Sequence, residues 1–218
     1  MSAEDRARWD NIHRKASRKA YPDPDPILLE YTPAVPADEE RHALDLAAGV
    51  GQNGLWLASQ GYITDIMDIS RVALYRARVE MTLRNLRNIN LLQVDLDDVR
   101  LEGYYYDVVC VFRYLKRDAL PAIRETVKPG GRIIYESYNL GYLTLVPEFN
   151  AKFLLHEEEL AENFDGWEIL CNETVDHITR LVAVRPENPE ENEAIAHAHQ
   201  SRSKAREEAS KKDTSFEW

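Results

Sequence analysis

Short apolar runs alternate with amphipathic stretches through the middle of the chain. The runs lie at residues 43–47, 62–69, 89–94, 106–112 and 132–138. A short, nearly continuous apolar run that is bounded by glycines or polar turns is typical of a buried parallel strand. The pattern therefore predicts five strands that are joined by helical segments.

The predicted helices have recognisable ends. Residues 55–60 read as a helix that stops at Gly61, and Ser70 is a suitable N-cap for the next one. The apolar positions of that second helix are three or four residues apart, at Val72, Tyr75, Val79, Leu83 and Leu86. This spacing predicts one helix face buried against the sheet. A third helix is expected before the Lys128–Gly131 bend.

The alternation of predicted strands and helices ends at Asn139. A loop and a short helix near 156–163 then precede two more apolar runs. These runs, 167–175 and 178–184, are too close together for a parallel crossover, so they should pair antiparallel. We expect a doubly wound, Rossmann-like α/β fold. Its seven-stranded, mostly parallel sheet should end in a C-terminal antiparallel hairpin and carry helices on both faces.

The two ends of the chain differ from this core. Residues 1–36 begin with a charged, helix-compatible stretch, and alternate prolines from Pro22 to Pro26 then exclude helix. Residues 186–218 are charged and poor in apolar side chains, which favours a solvated helix or a disordered tail. The expected organisation is an N-terminal helical segment (1–36), a core (37–185) and a charged tail (186–218).

Composition narrows the function classes. The 218 residues are 44% hydrophobic with a formal net charge of −11, and phosphate binding needs a basic face, so nucleic acid is not an expected partner. No apolar run approaches the roughly 20 residues of a membrane span, and no membrane partner is expected. Cys110 and Cys171 lie in apolar stretches as expected of reduced thiols, which favours the cytoplasm. His197 and His199 are two residues apart, which is not a helical metal-ligand spacing, and no metal is expected.

The turn after the first strand is the first candidate for chemistry. Gly49, Gly51 and Gly54 follow Asp45 and precede a helix. Ligands of doubly wound sheets bind beyond the carboxyl ends of strands, where glycine lets a ligand approach the backbone. A tight turn without a ligand would also explain two glycines, and the same three satisfy the GxGxxG pattern of dinucleotide-binding oxidoreductases.

Acidic residues end the next two strands. Asp68 lies 17 residues after Gly51, where a carboxylate can accept both hydroxyls of a ribose. The alternative is an acid that caps the helix beside Ser70. Asp95 can meet an adenine amino group while Leu96 covers the ring; the alternative is a solvated acidic turn.

The fourth strand is followed by Arg113 and Tyr114, which are the candidate catalytic, acceptor-orienting residues. An arginine there can bind an anionic acceptor with two parallel hydrogen bonds. A surface arginine and a packing tyrosine are an equally good interpretation. Glu136, at the end of the fifth strand, is a weaker candidate.

Residues 1–185 resemble the class I S-adenosylmethionine-dependent methyltransferases, and look most like the branch that contains the tellurite-resistance methyltransferases. The resemblance rests on Asp45-Leu46-Ala47 with Gly49, Gly51 and Asn53, on Met67–Ser70, on Phe112–Arg117 and on Lys128–Gly131. Ala48 stands where the family usually has cysteine or glycine. Trp9-Asp10 and residues 27–31 resemble the lid that covers the cofactor, although His13 replaces a more usual aromatic residue.

The resemblance implies S-adenosylmethionine as cofactor and a small-molecule acceptor that is methylated by direct in-line displacement. The cofactor-binding residues that it implies are Trp9, Asp45, Ala47, Gly49, Gly51, Asn53, Asp68, Ile69, Asp95, Leu96 and Phe112. An NAD-dependent oxidoreductase and a non-catalytic S-adenosylmethionine-binding protein are the alternatives. The acceptor's identity and the oligomeric state stay open.

Overall fold

The computed structural model describes residues 3–16, 20–97, 101 and 103–187. The predicted tail lies outside the described residues from position 188 onward, so its nature stays a prediction. The described helices are α1 (Ala3–Ala16), α2 (Pro26–Tyr31), α3 (Gln52–Ser59), α4 (Arg71–Leu83), α5 (Leu120–Thr126) and α6 (Glu159–Asn163). The strands are β1 (His42–Leu46), β2 (Ile63–Asp68), β3 (Ile89–Gln93), β4 (Tyr106–Phe112), β5 (Val127–Tyr138), β6 (Glu168–Val175) and β7 (Ile178–Val184).

The strands form one seven-stranded sheet in the order β3-β2-β1-β4-β5-β7-β6. The first five strands are parallel, and β7 pairs antiparallel with both β5 and β6. The predicted mostly parallel sheet with a closing hairpin is confirmed. The chain runs outward from β1 in one direction and from β4 in the other, so the strand order reverses between these two neighbours. This is the point where a doubly wound sheet leaves a crevice for a ligand.

The core lies on both faces of the sheet. Every residue of the central strand β4 is buried. One face packs against α2 and α3 through residues such as Leu28 and Leu57, and the other packs against α5 and α6 through Ile123 and Leu160. Helices on both faces are therefore confirmed, and the burial of β4 agrees with its continuous apolar sequence.

The buried face of α4 differs from the predicted one. Tyr75 and Leu83 of the predicted stripe are 65% and 75% exposed, whereas Ala73, Leu74 and Ala77 are buried. The predicted stripe is wrong because closeness of approach, rather than side-chain size, selects the packed face. A Cβ atom placed on Gly51 would lie 3.2 Å from the Ala77 Cβ, so a larger residue at position 77 would push the helix away from the glycine turn.

The start of β5 also differs from the prediction. The strand begins at Val127 instead of Arg132 and includes the Lys128–Gly131 segment. This segment continues the ladder because the Gly130 amide donates to the Arg185 carbonyl and the Arg185 amide donates to the Gly131 carbonyl, each at 2.9 Å. A register irregularity between Tyr106 and Val108 accommodates it.

Candidate functional site

A cavity of about 390 Å³ opens at the reversal point of the sheet, beyond the carboxyl ends of β1, β2 and β4. The N-terminal segment lies across it, with Trp9 of α1 and Pro22 in its lining. All of the predicted cofactor-binding and catalytic residues line this cavity except Gly51 and Asp95. Residues that are far apart in sequence are thus brought to one site.

The turn from β1 to α3 forms the floor of the cavity. Ala47 and Gly49 line it, and both have left-handed backbones, with φ of 54° and 58°. A left-handed conformation is costly for alanine, so its presence here indicates that the surrounding structure constrains the turn. Gly51, with φ of 79°, faces inward instead, where Ala77 and Ile66 leave little room for a side chain. Its contribution is therefore to packing beneath the cavity.

Asp45 supports this turn from below. Its Oδ2 accepts a hydrogen bond of 2.7 Å from the Gly54 amide, and its Oδ1 accepts a weaker one of 3.5 Å from the Cys110 thiol. Burial raises the pKa of Asp45 to about 7. A cationic group of a ligand in the cavity would favour the ionised carboxylate.

Asp68 joins the end of β2 to the glycine turn. Its Oδ2 accepts from the Gly49 amide and its Oδ1 from the Ser70 amide, both at 2.7 Å. Ser70 itself caps α4 by accepting from the Ala73 amide. Burial raises the pKa of Asp68 to about 6. Since each carboxylate oxygen can accept more than one hydrogen bond, these contacts leave capacity for ligand hydroxyls.

On the side nearest β3, the residues that line the cavity are apolar. Leu96 lines the cavity beside Ile69, which follows Asp68. Asp95 lies outside the lining, and its Oδ1 accepts a hydrogen bond of 3.0 Å from the Asp97 amide. This contact is the acidic-turn alternative that the sequence left open; a contact between Asp95 and an adenine stays a prediction.

Tyr114 lines the same side of the cavity. Its hydroxyl oxygen is buried and has no hydrogen-bond partner among the described residues. Burial and the nearby charge of Asp95 raise the pKa of the phenol to about 12, so it carries its proton at neutral pH. The Tyr135 hydroxyl holds the Tyr114 backbone by donating to its carbonyl at 2.7 Å. This hydroxyl is therefore available to hydrogen-bond a ligand in the cavity.

Arg113 lines the cavity beside Phe112, at the end of β4. Its guanidinium donates to both carboxylate oxygens of Asp25 and, at 3.2 Å, to Glu136. The hydrogen bonds to Asp25 raise the pKa of Arg113. The charge of Arg113 is therefore already balanced by two acids, although the side chain is 40% exposed.

Two residues of the N-terminal segment make contacts in the site that sequence reasoning could not predict. The Tyr21 hydroxyl donates to the Val50 carbonyl of the glycine turn. Asp10 accepts from the Ser70 hydroxyl at 2.7 Å and from the Val72 amide at 3.2 Å, so it attaches α1 to the start of α4. These partners are distant in sequence, and no short motif links them. The proline-aspartate alternation of residues 22–26 indicated only that helix was excluded.

His13 also lines the cavity, above the glycine turn. Its Cε1 lies 3.5 Å from the position of a Cβ placed on Gly49. Burial lowers the pKa of His13, and the charge of Arg76 lowers it further. The imidazole is therefore mainly neutral at neutral pH and packs above the turn as an uncharged ring, next to Trp9.

Among residues 3–16, 20–97, 101 and 103–187, no group of three or more histidine, cysteine, aspartate or glutamate side chains is arranged to hold a metal ion. Within the same ranges, no helix combines the length and apolar character required to cross a membrane.

Comparison with known proteins identifies the domain. Residues 43–131 match the family model described as a methyltransferase domain. This segment of the chain is a methyltransferase domain. The matched residues contain the reversal point, the glycine turn and both Asp45 and Asp68. No sequence among the curated proteins matches the methyltransferase.

Solved structures agree on the fold. A protein from work on the conversion of a disulfide bond into a thioacetal group during echinomycin biosynthesis is 18% identical, with a TM-score of 0.65 over 90% of this chain and 99% of that one. TehB from Haemophilus influenzae is 18% identical, with a TM-score of 0.61 over 81% and 66% of the two chains. An S-adenosylmethionine-dependent methyltransferase from Mesorhizobium loti is 16% identical, with a TM-score of 0.60 over 73% and 96%.

The cofactor of the methyltransferase is S-adenosylmethionine, and the cavity fits it. The volume of about 390 Å³ is within the range of about 300–1,000 Å³ that small-ligand sites occupy. Two buried carboxylates, Asp45 and Asp68, suit a ligand that carries cationic groups and ribose hydroxyls.

Proposed function

We propose that the methyltransferase transfers a methyl group to a small-molecule acceptor by direct in-line displacement. The observation that carries this proposal is the covering of the cavity by the N-terminal segment. Ala20 and Pro22 line the cavity, and the neighbouring Tyr21 and Asp25 are fastened to the glycine turn and to β4. A site covered in this way suits a small acceptor better than a macromolecular one.

When the acceptor is a soft anion, the chemistry requires little acid or base from the protein. Bound S-adenosylmethionine would supply a methyl group on a cationic sulfur; a lone pair of the anionic acceptor would form the new bond to carbon as the carbon–sulfur bond breaks and its electrons return to sulfur. The chain's own contribution is to orient the reactants and exclude water. Arg113 and Tyr114 are proposed as the orienting residues, and no residue is proposed to transfer a proton.

The cofactor-binding roles extend this proposal. Asp68 is proposed to accept ribose hydroxyls, Leu96 to cover the adenine, and Trp9 to cover the site from α1. Each is supported by its place in the cavity lining. Asp45 is proposed to act through the local negative charge and through the Gly54 amide that it holds.

The net charge and the two cysteines support two further parts of the proposal: the acceptor is not a nucleic acid, and the protein is cytoplasmic. The net charge of −11 is unfavourable for a nucleic-acid acceptor, which is polyanionic. Cys110 and Cys171 are both free thiols, which supports a reducing compartment such as the cytoplasm.

A transfer assay with a tritiated methyl donor tests the proposal. Panels of thiols, amines, phenols and chalcogen oxyanions would be incubated with the wild-type protein and with Asp68→Ala as the control for cofactor-dependent turnover. Label should appear in a small-molecule product with the wild type and be much reduced with the variant. Parallel incubations would contain protein or nucleic acid in place of the small molecules. Label found only in those macromolecules would overturn the assignment of the acceptor class.

A further inference from the structure

Asp25 stands at a helix start but does not cap the helix. It is the N-cap residue of α2 and is followed by Pro26 in the first turn, an arrangement in which aspartate usually accepts a hydrogen bond from the helix. Its side chain makes no such bond. The carboxylate is therefore used elsewhere.

The Asp25 carboxylate instead joins two other parts of the site. Its Oδ2 accepts from the Asn53 side-chain amide at 2.9 Å, and the Asn53 carbonyl oxygen accepts from the Asp25 backbone amide at 2.8 Å. Both of its oxygens also accept from the Arg113 guanidinium. Asp25 and Asn53 are 7% and 2% exposed, so these contacts are sheltered from water and their loss would leave buried polar groups unpaired.

Arg113 is held in a costly conformation for these contacts. It is one of the non-glycine residues with a left-handed backbone, with φ of 56°, at the end of β4. Its amide donates to the Glu136 carbonyl at 2.8 Å, and its side chain reaches the Glu136 carboxylate as well. The strain is retained because the surrounding hydrogen bonds determine the position of the guanidinium.

The segment that Asp25 ends crosses the cavity. Ala20 and Pro22 line it, and Tyr21 is bonded to the Val50 carbonyl at the other end. Prolines at positions 22, 24 and 26 restrict the backbone between the two attachments. Residues 20–25 therefore form a stiff strap that is attached at both ends. A change in the position of Asp25 would move Ala20 and Pro22, which line the cavity.

We infer that the Asp25–Arg113 ion pair is a latch that holds residues 20–25 closed over the cofactor, so that Asp25 and Arg113 are positioning residues. This inference rests on the proposed function in placing the cofactor in this cavity, and it replaces the proposed role of Arg113 as a ligand of the acceptor. Asn53 completes the latch by joining Asp25 to α3. Removal of either charged partner opens the strap and weakens cofactor binding before any acceptor is present.

Two readouts without an acceptor test the latch: S-adenosylhomocysteine affinity by isothermal titration, and hydrogen–deuterium exchange of residues 20–31. Asp25→Asn and Arg113→Gln should each weaken binding about tenfold and speed exchange of this segment. The double variant should be no weaker than either single one, because both remove the same interaction. Arg113→Lys should recover part of the loss, since it keeps the charge but not the paired geometry. Glu173→Gln, which removes a partner of Arg180 in a more exposed ion pair, is the matched control and should behave like the wild type.

The outcomes separate the two proposals. Wild-type affinity and exchange in Arg113→Gln, or losses that multiply to about a hundredfold in the double variant, would overturn the latch while wild-type binding still supports the cofactor site. No binding by the wild type would overturn the cofactor site itself. If Arg113→Gln fails to fold, Arg113→Lys and Asp25→Asn supply the same test.

Discussion

The Asp68 carboxylate accepts a hydrogen bond of 2.7 Å from the Gly49 amide, and this bond attaches the end of β2 to the turn that follows β1. The same carboxylate accepts the Ser70 amide through its other oxygen. One acidic residue therefore aligns the glycine turn with the start of α4. It also places a carboxylate in the cavity lining. A structural role and the proposed ligand-binding role therefore coincide at this residue.

Asp68→Asn should lose both stability and cofactor affinity. The amide nitrogen of asparagine would face a backbone N–H where a carboxylate oxygen now accepts, which should cost about 1–3 kcal/mol. S-adenosylhomocysteine affinity should fall about tenfold or more, as measured by isothermal titration. Asp65→Asn is the matched control, because Asp65 is also buried on β2 and accepts from Asn90 and Tyr106 away from the cavity. It should lose stability alone; equal affinity losses in both variants would contradict the ligand-binding role.

Asp45 should make the protein less stable as the pH rises through the acidic range. Burial raises its pKa from 3.8 to about 7, so between these values the folded protein retains a proton that the unfolded chain has lost. The free energy of unfolding should therefore fall from about pH 4 to pH 7, by up to about 4 kcal/mol, and then level off. Urea unfolding at several pH values measures this, and Asp45→Asn should flatten the decline. Asp68 contributes in the same direction up to about pH 6, so the decline should not vanish. An unchanged slope in the variant would show that Asp45 is not the group responsible.

Gly54→Ala should be destabilising although alanine is the better helix former. A Cβ at this position would lie 2.5 Å from the Ile66 Cγ1 and 3.0 Å from the Asp45 Cβ, so α3 would have to move away from the sheet. We expect a loss of about 1–3 kcal/mol in urea unfolding. Gly103→Ala is the control, since the nearest atom to its Cβ would be the Glu125 carbonyl oxygen at 3.8 Å. A stable Gly54→Ala protein would mean that the close approach of α3 is not required.

Tyr114→Phe should separate turnover from stability. Removing a buried hydroxyl that has no partner should leave the free protein as stable as the wild type or slightly more stable. Loss of one neutral hydrogen bond to the acceptor should lower kcat/KM for methyl transfer roughly threefold to tenfold, while S-adenosylhomocysteine affinity stays at the wild-type value. Tyr106→Phe removes a hydroxyl that donates to Asp65 at 2.7 Å, and should lose stability without affecting kcat/KM. Unchanged kcat/KM in Tyr114→Phe would overturn its proposed role in orienting the acceptor.

Much of the fold was predictable because its determinants are local. Continuous apolar runs identified the parallel strands, and the short turn at Asp176-His177 required an antiparallel hairpin, as observed between β6 and β7. The glycine turn was recognisable because its spacing and its preceding acid are contiguous in sequence. Asp68 could be singled out by its position at the end of a predicted strand.

The errors have a common physical origin in contacts between distant segments. On α4, the spacing of apolar residues predicted that Leu83 is buried, but the buried residues include Ala73 and Ala77 instead. Arg113 and Asp25 are 88 residues apart, so no periodicity or short motif could pair them. The charge of Arg113 was visible in the sequence, whereas its neutralisation by two acids required the tertiary structure.

The central claim, that the cavity at the glycine turn binds S-adenosylmethionine, is tested most directly by titrating the wild-type protein with S-adenosylhomocysteine and, separately, with NAD. The GxGxxG spacing alone allows either ligand. We predict saturable binding of one S-adenosylhomocysteine per chain and no heat of binding with NAD. Saturable NAD binding without any response to S-adenosylhomocysteine would contradict this assignment.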